Sequence, residues 1–186
     1  MSDPAFDAEL DAVLIGGREQ RAIILVPHDP AWPKRYEGER VKITTAVGRS
    51  VRAVHHVGST SVEDLAAKPI IDILLVVEEP DAEQTYLPAL ERVGYVLRVR
   101  EQGHRMVRSP ERDVHIHVWS DPADDERHVL FRDWLRNAPE DRAAYQALKE
   151  RLAAQDWDDV NYYARAKSGF IEDVVRRARE SGDNVT

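Results

Sequence analysis

Residues 51–77 read VRAVHHVGSTSVEDLAAKPIIDILLVV, and the fold depends on how this stretch divides. Both ends, 51–57 and 70–77, are runs dominated by β-branched and other apolar residues, which predicts two strands. Between them, Gly58-Ser59-Thr60-Ser61 supplies small residues suited to a turn at the start of a short helix. The second strand, the most apolar, is expected to be the most central of its sheet, yet it contains Asp72. A carboxylate there is costly unless it is paired, hydrogen-bonded or bound to a metal.

Upstream, AIILV at 22–26 is a continuous apolar run and predicts a buried strand, broken by Pro27-His28-Asp29-Pro30. Asp29 can cap a following helix, and Trp32, Tyr36, Ile43 and Val47 recur at roughly helical spacing, extending that helix to about Arg49. Residues 2–21 read as a short helix or a frayed arm ended by the Gly16-Gly17 turn. Downstream, 81–93 reads as a surface helix, and 95–99, 104–108 and 113–119 as short strands. An acidic linker, 121–126, then leads into helical patterns over 126–136, 140–154 and 158–180. The predicted class is α/β (α+β), a mixed β-sheet flanked by helices. The expected organisation is an arm at 1–21, an α/β core at 22–120 and a helical segment at 121–186 packed on the core.

Composition narrows the function classes. The 186 residues include 26 basic and 34 acidic side chains, a formal net charge of -8, and no cysteine. Disulfide scaffolds, thiolate metal sites and cysteine nucleophiles are excluded, so any metal must bind through imidazole and oxygen. Neither apolar run approaches the roughly 20 residues needed to span a bilayer. The acidic N-terminus lacks the pattern of a signal peptide, so a cytoplasmic, soluble protein with no membrane partner is expected. The charge argues against strong general nucleic-acid binding, which depends on neutralised phosphates. It leaves room for a small basic pocket, whereas oligomeric state leaves no trace in the sequence.

Three constellations carry chemistry. Gly58, Ser59, Thr60 and Ser61 offer backbone N–H groups and hydroxyls at a strand-to-helix turn, an arrangement that accepts a phosphate. The same residues also fit a structural reading, with Ser59 as a cap and Asp72 bonded to Lys68 or an arginine. No P-loop or dinucleotide-binding fingerprint occurs, so this turn is the remaining phosphate-binding option. In DVHIHVW, Asp113, His115 and His117 alternate along a strand and should share one face at steps of about 7 Å, as metal or phosphate contacts or as a solvent-facing ladder. His104 and Arg105 on the preceding strand can join them. Five arginines between 98 and 112 face two glutamates, a locally basic hairpin that reads as an anion funnel or as protection of an exposed edge. In the helical part, Phe131, Trp134 and Leu135 suggest core packing, while Arg132 and Lys149 can point towards the core's cleft.

LVPHDPAWPKRY, HHVGSTSVEDLAAKPIIDILL, HIHVW, FRDWLRNAP and AAYQALKERLA together resemble the GrpB family of the nucleotidyltransferase-like superfamily, over about residues 23–178. The resemblance implies a mixed, twisted sheet with a C-terminal helical segment. It also implies Gly-Ser at a strand-to-helix turn followed by an acidic-apolar-acidic triplet holding two Mg²⁺ ions. Gly58-Ser59 and Asp72 match; the second acidic position is Leu74, so Asp113, His115 or His117 would have to complete the metal site.

The reading that follows is a protein binding a nucleotide or phosphorylated small molecule with Mg²⁺, as a possible nucleotidyltransferase. In it Asp72 with Asp113 or His117 holds Mg²⁺, and Lys68, Arg105 or Arg132 neutralises developing charge. Some GrpB-like domains are fused to dephospho-coenzyme A kinase, which implies a nucleotide or coenzyme A context. The alternatives are a non-catalytic nucleotide or phosphometabolite binder that lost the two-metal site, and a metal-dependent hydrolase built on His56, His104, His115 and His117.

Overall fold

Five strands, β1 (Ala53–Val57), β2 (Ile71–Val76), β3 (Val96–Glu101), β4 (His104–Arg108) and β5 (Val114–Trp119), form one sheet in the order β1-β2-β5-β4-β3. The computed structural model of the protein describes residues 3–120 and 122–182. β2 runs antiparallel to β1 and parallel to β5; β3, β4 and β5 form an antiparallel meander. The central strand is therefore β5 and not β2 as expected. The meander returns the chain to β2 and inserts its last strand beside it.

Among the described residues seven α-helices surround the sheet: α1 (Pro4–Val13), α2 (Trp32–Val47), α3 (Leu87–Arg92), α4 (Pro122–Asn137), α5 (Pro139–Ala153), α6 (Val160–Arg165) and α7 (Ser168–Gly182). Asp3 caps α1 by accepting from the Ala5 and Phe6 amides, as an N-cap aspartate does. Asp29 accepts from the Ala31 amide just ahead of α2. The 81–93 stretch divides into a single 3₁₀ turn at Glu83–Thr85 and α3, with Pro88 in the first turn of the helix. The last helical pattern divides at 166–167 into α6 and α7, and residues 122–126 of the expected acidic linker are part of α4, while Asp121 lies outside the described residues.

AIILV is not a strand. Ile23 and Leu25 pack with Leu152, Tyr163 and Trp157 of the helical segment, while Ile24 points out, 65% exposed. Only Val26 pairs, in an isolated bridge to Ala67. A continuous apolar run fits a doubly covered strand and an extended arm laid along helices equally well, and periodicity alone does not separate the two.

The sheet has two unlike faces. On one, Ile71, Ile73, Leu75, Val107, Val114, Ile116 and Val118 pack against Trp32, Ile43, Val47, Leu87 and Leu90 of α2 and α3 in a dry core. On the other, alternation places Asp72, Leu74 and Val76 of β2 beside His115, His117 and Trp119 of β5, in register. α4 lies over the β1–β2 side of this second face, and α5 and α7 pack in turn on α4.

Candidate functional site

The turn between β1 and β2 is shaped by Asp72. Gly58 has φ +68, and a Cβ built on it would lie 2.5 Å from Asp72 Oδ2. Only glycine combines that backbone with that approach. Ser59–Ser61 then make a single 3₁₀ turn, in which the Ser61 hydroxyl donates to Gly58 O at 2.6 Å and the Thr60 hydroxyl to Ile70 O at 3.0 Å. His56 Nε2 lies 3.1 Å from Thr60 Oγ1, on the far face of the sheet, where its ring stacks on Tyr36. Burial lowers the His56 imidazole to a pKa of about 4, so it is a neutral structural group.

Asp72, His115 and His117 converge. One donor atom from each lies within 4.8 Å of the others, and His115 Nδ1 stands 3.6 Å from Asp72 Oδ1. Burial pushes the Asp72 carboxyl up, but the neighbouring His115, His117 and Lys68 outweigh it and hold the pKa at about 2. Burial lowers the His117 imidazole to about 4, despite Asp72. A carboxylate beside a neutral imidazole is the protonation state in which both bind a metal.

Around this group stand three lysines. Lys149 of α5 is 2% exposed; its Nζ donates to Ser59 Oγ at 3.1 Å and to the Ala66 carbonyl, and lies 5.1 Å from the centre of the Tyr145 ring. Burial lowers it to a pKa of about 7, assisted by the charges of Lys167 and Lys68. Lys167, at the α6–α7 break, lies over the Tyr163 ring at 4.4 Å and is lowered to about 8 by burial and by Lys68. Lys68 lies near the same ring at 5.5 Å, and burial lowers its pKa too, against the pull of Asp72. Three half-buried or buried ammonium groups around Ser59 and Asp72 form a local positive pocket in a chain of net charge -8. Such a pocket suits a multiply charged anion.

The remaining predicted residues fall elsewhere. Asp113 does not share the face of His115 and His117: Arg112 adopts φ +63 just before it, and its carboxylate accepts from Arg35 of α2 at 2.8 Å and from Ser109 Oγ at 2.7 Å. Arg105 pairs across the ladder with Val118, on the α2–α3 face, where Glu83 and Asp81 neutralise it. His104 is on the face of the site, stacked on Trp119 at 4.2 Å and on His117 at 5.7 Å; its Nε2 is buried without a hydrogen bond among the described residues. Arg132 is held bidentately by Asp133 and donates to His56 O at 3.0 Å, while Arg136 donates twice to Ser61 O. These two arginines fasten α4 to the turn. Lys167 escaped the sequence reading entirely. Lys149 carried a signal: with Tyr145, Leu148 and Leu152 it completes an apolar face at helical spacing, a place where a lysine must find a partner.

The GrpB sequence profile, described as GrpB protein, matches residues 22–177. The chain belongs to the GrpB family. A UPF0157 protein of Halalkalibacterium halodurans is 43% identical over 183 residues, covering 95% of this chain and 94% of that protein. The crystal structure of the conserved protein GrpB from Enterococcus faecalis superposes with a TM-score of 0.75 at 33% identity, covering 85% of this chain and 98% of that one. A dephospho-CoA kinase of Mycolicibacterium paratuberculosis is 30% identical over 191 residues, 87% of this chain but 47% of the kinase. In this GrpB chain the pair of Mg²⁺ ions suggested by the superfamily's signature does not fit the residues present. Mg²⁺ seeks six oxygens, whereas Leu74 fills the second acidic position, fully buried, and Asp113 is turned to Arg35.

Among the described residues no helix is long and apolar enough to cross a membrane.

Proposed function

We propose that this GrpB protein binds a nucleotide or another phosphorylated metabolite, with the phosphates seated on Lys68, Lys149 and Lys167 beside Ser59. The observation that carries this reading is Lys149: a lysine that is 2% exposed, bonded to the hydroxyl of the Gly58–Ser61 turn and facing two further lysines. Burying three like charges together is unfavourable, and an anionic ligand is what turns that repulsion into attraction. A cavity of about 630 Å³ lies one step further along the same turn, lined by Thr60, Ser61, His28, Pro33, Asp64 and Arg136. The dephospho-CoA kinase relative adds nucleotide and coenzyme A-related compounds to the candidates.

A thermal-shift series with nucleoside triphosphates, dephospho-coenzyme A and coenzyme A tests the proposal. A ligand at 100 times its dissociation constant should stabilise the fold by about 2.7 kcal/mol. The shift should vanish in Lys149→Met and shrink in Ser59→Ala. If no compound of this set stabilises the wild-type chain, the reading fails.

Nucleotidyl transfer is the second reading, favoured by Gly58-Ser59 and Asp72, which match the positions of the superfamily's signature. An acceptor hydroxyl would attack the α-phosphorus of a nucleoside triphosphate, forming a new O–P bond as the α–β P–O bond breaks and pyrophosphate leaves, with the hydroxyl proton passing to water. Pyrophosphate release that requires a divalent metal and disappears in Asp72→Ala would support it; binding without turnover would leave a ligand-binding protein.

A further inference from the structure

Asp72, His115 and His117 are placed by two adjacent parallel strands at fixed register, Asp72 opposite His115 and Leu74 opposite His117. We propose that these three side chains form a mononuclear site for a divalent first-row transition metal, in place of a pair of Mg²⁺ ions. This goes beyond the phosphate-binding reading and rests on different residues. The donor set is two imidazoles and one carboxylate, the facial arrangement that binds Fe²⁺, Zn²⁺, Co²⁺ or Mn²⁺ and leaves coordination positions open.

Geometry supports it at three points. The His115 Nδ1 to Asp72 Oδ1 distance of 3.6 Å is close to the roughly 3.4 Å separating two ligands of a tetrahedral ion with bonds of about 2.0–2.1 Å. The donors sit on the strands of a sheet and not on loops, so closing the remaining distances up to 4.8 Å takes side-chain adjustment alone. The His117 ring is held between the rings of His104, at 5.7 Å, and His128, at 6.0 Å, which limits its rotation. Leu74, where a second carboxylate would be needed for two Mg²⁺ ions, is fully buried against Val57 and Val76. Asp72 and His115 keep 30% and 20% of their side chains exposed, enough for an ion to enter and for a ligand atom to reach it. Lys68 and Lys167 oppose a cation here, so an anion seated on the lysines and an ion on the triad would each favour the other's binding.

Titration of untagged, metal-stripped protein with Co²⁺, followed by its visible absorption, tests the proposal, with Zn²⁺ and Mg²⁺ as competitors. The expected result is one Co²⁺ per chain with the intense bands of a four- or five-coordinate site, displaced by one equivalent of Zn²⁺ and untouched by a hundredfold excess of Mg²⁺. Asp72→Asn and His117→Ala should abolish the spectrum. His115→Asn, at a partly exposed position, should do the same while the circular dichroism spectrum stays that of the folded chain. Lys149→Met should keep the Co²⁺ site although it loses the phosphorylated ligand, which separates failure of this proposal from failure of the ligand reading. Absence of a protein-bound Co²⁺ spectrum, equal competition by Mg²⁺, or a spectrum that survives all three triad substitutions would overturn it.

Discussion

The two faces of the sheet are built from the same strands and do opposite things. Towards α2 and α3 the strand residues are mostly apolar and nearly all inaccessible, with His56 and Arg105 as buried polar exceptions. One residue along, the same β2 and β5 present Asp72, His115 and His117, with Lys149, Lys167 and Lys68 around them. Period-two alternation lets a single strand serve both purposes, because neighbouring residues never share a face. One face is an apolar core, while the other combines a smaller apolar cluster around Leu74 with the polar group proposed to bind ligands.

The largest predicted effect lies on the dry face. Ile73 is fully buried between Ile71 and Leu75, and Ile73→Ala should cost about 2–5 kcal/mol, read as a lowered denaturant midpoint at unchanged slope. Asp72→Asn, one residue away, removes no apolar packing, so it should cost less and still abolish metal binding. If the two substitutions destabilise equally, the division of labour between the faces is wrong.

Next comes Gly58→Ala, at the point where the turn meets the polar face. The new Cβ would adopt φ +68 and press on Asp72 Oδ2, so a loss of about 1–3 kcal/mol is expected, together with weakened ligand binding as Asp72 is displaced. A stable variant with normal binding would show that Asp72 moves freely in its place.

Much of this division was legible in residues 51–77. The Gly58–Ser61 turn, the strands around it and the singular Asp72 are local features, and local features survive in sequence. β5 could be read as a strand with His115 and His117 on one face, because alternation is local too. Its central position could not, since strand order depends on which partner the returning meander finds. Asp113 followed the same alternation on paper and failed because Arg112 leaves the extended conformation just before it. AIILV failed for want of a partner strand: its neighbours are helices encoded more than a hundred residues later. The lysine pocket joins residues 68, 149 and 167, and nothing in one sequence announces such a meeting.

Lys149 gives a third, smaller effect with a definite sign. Its pKa falls from 10.5 when unfolded to about 7 in the fold, so between those values the unfolded chain binds more protons. Unfolding free energy from this group should therefore rise with pH across that window, by at most about 1.4 kcal/mol per pH unit, and the burial penalty is present in full below it. Lys149→Met should flatten the rise. Affinity for a phosphorylated ligand should move oppositely, falling above pH 7 to 8 as Lys149 and Lys167 lose their protons.

The smallest effect is expected where the sequence looks most basic. Along the chain the 98–112 hairpin carries a cluster of arginines, but in the fold each meets an acid or a carbonyl from elsewhere. Arg98, Arg108 and Arg112 gather around Glu19 of the N-terminal arm, and Arg100 and Arg105 share Glu83. Here basicity fastens the arm and the 81–86 segment to the sheet, whereas the lysines of the other region are left facing one another. Arg100→Ala should accordingly leave ligand affinity within about twofold and barely move the unfolding midpoint, because an exposed ion pair contributes little. A marked loss of affinity in this variant would mean that the hairpin steers anions after all, and that the lysine pocket does not act alone.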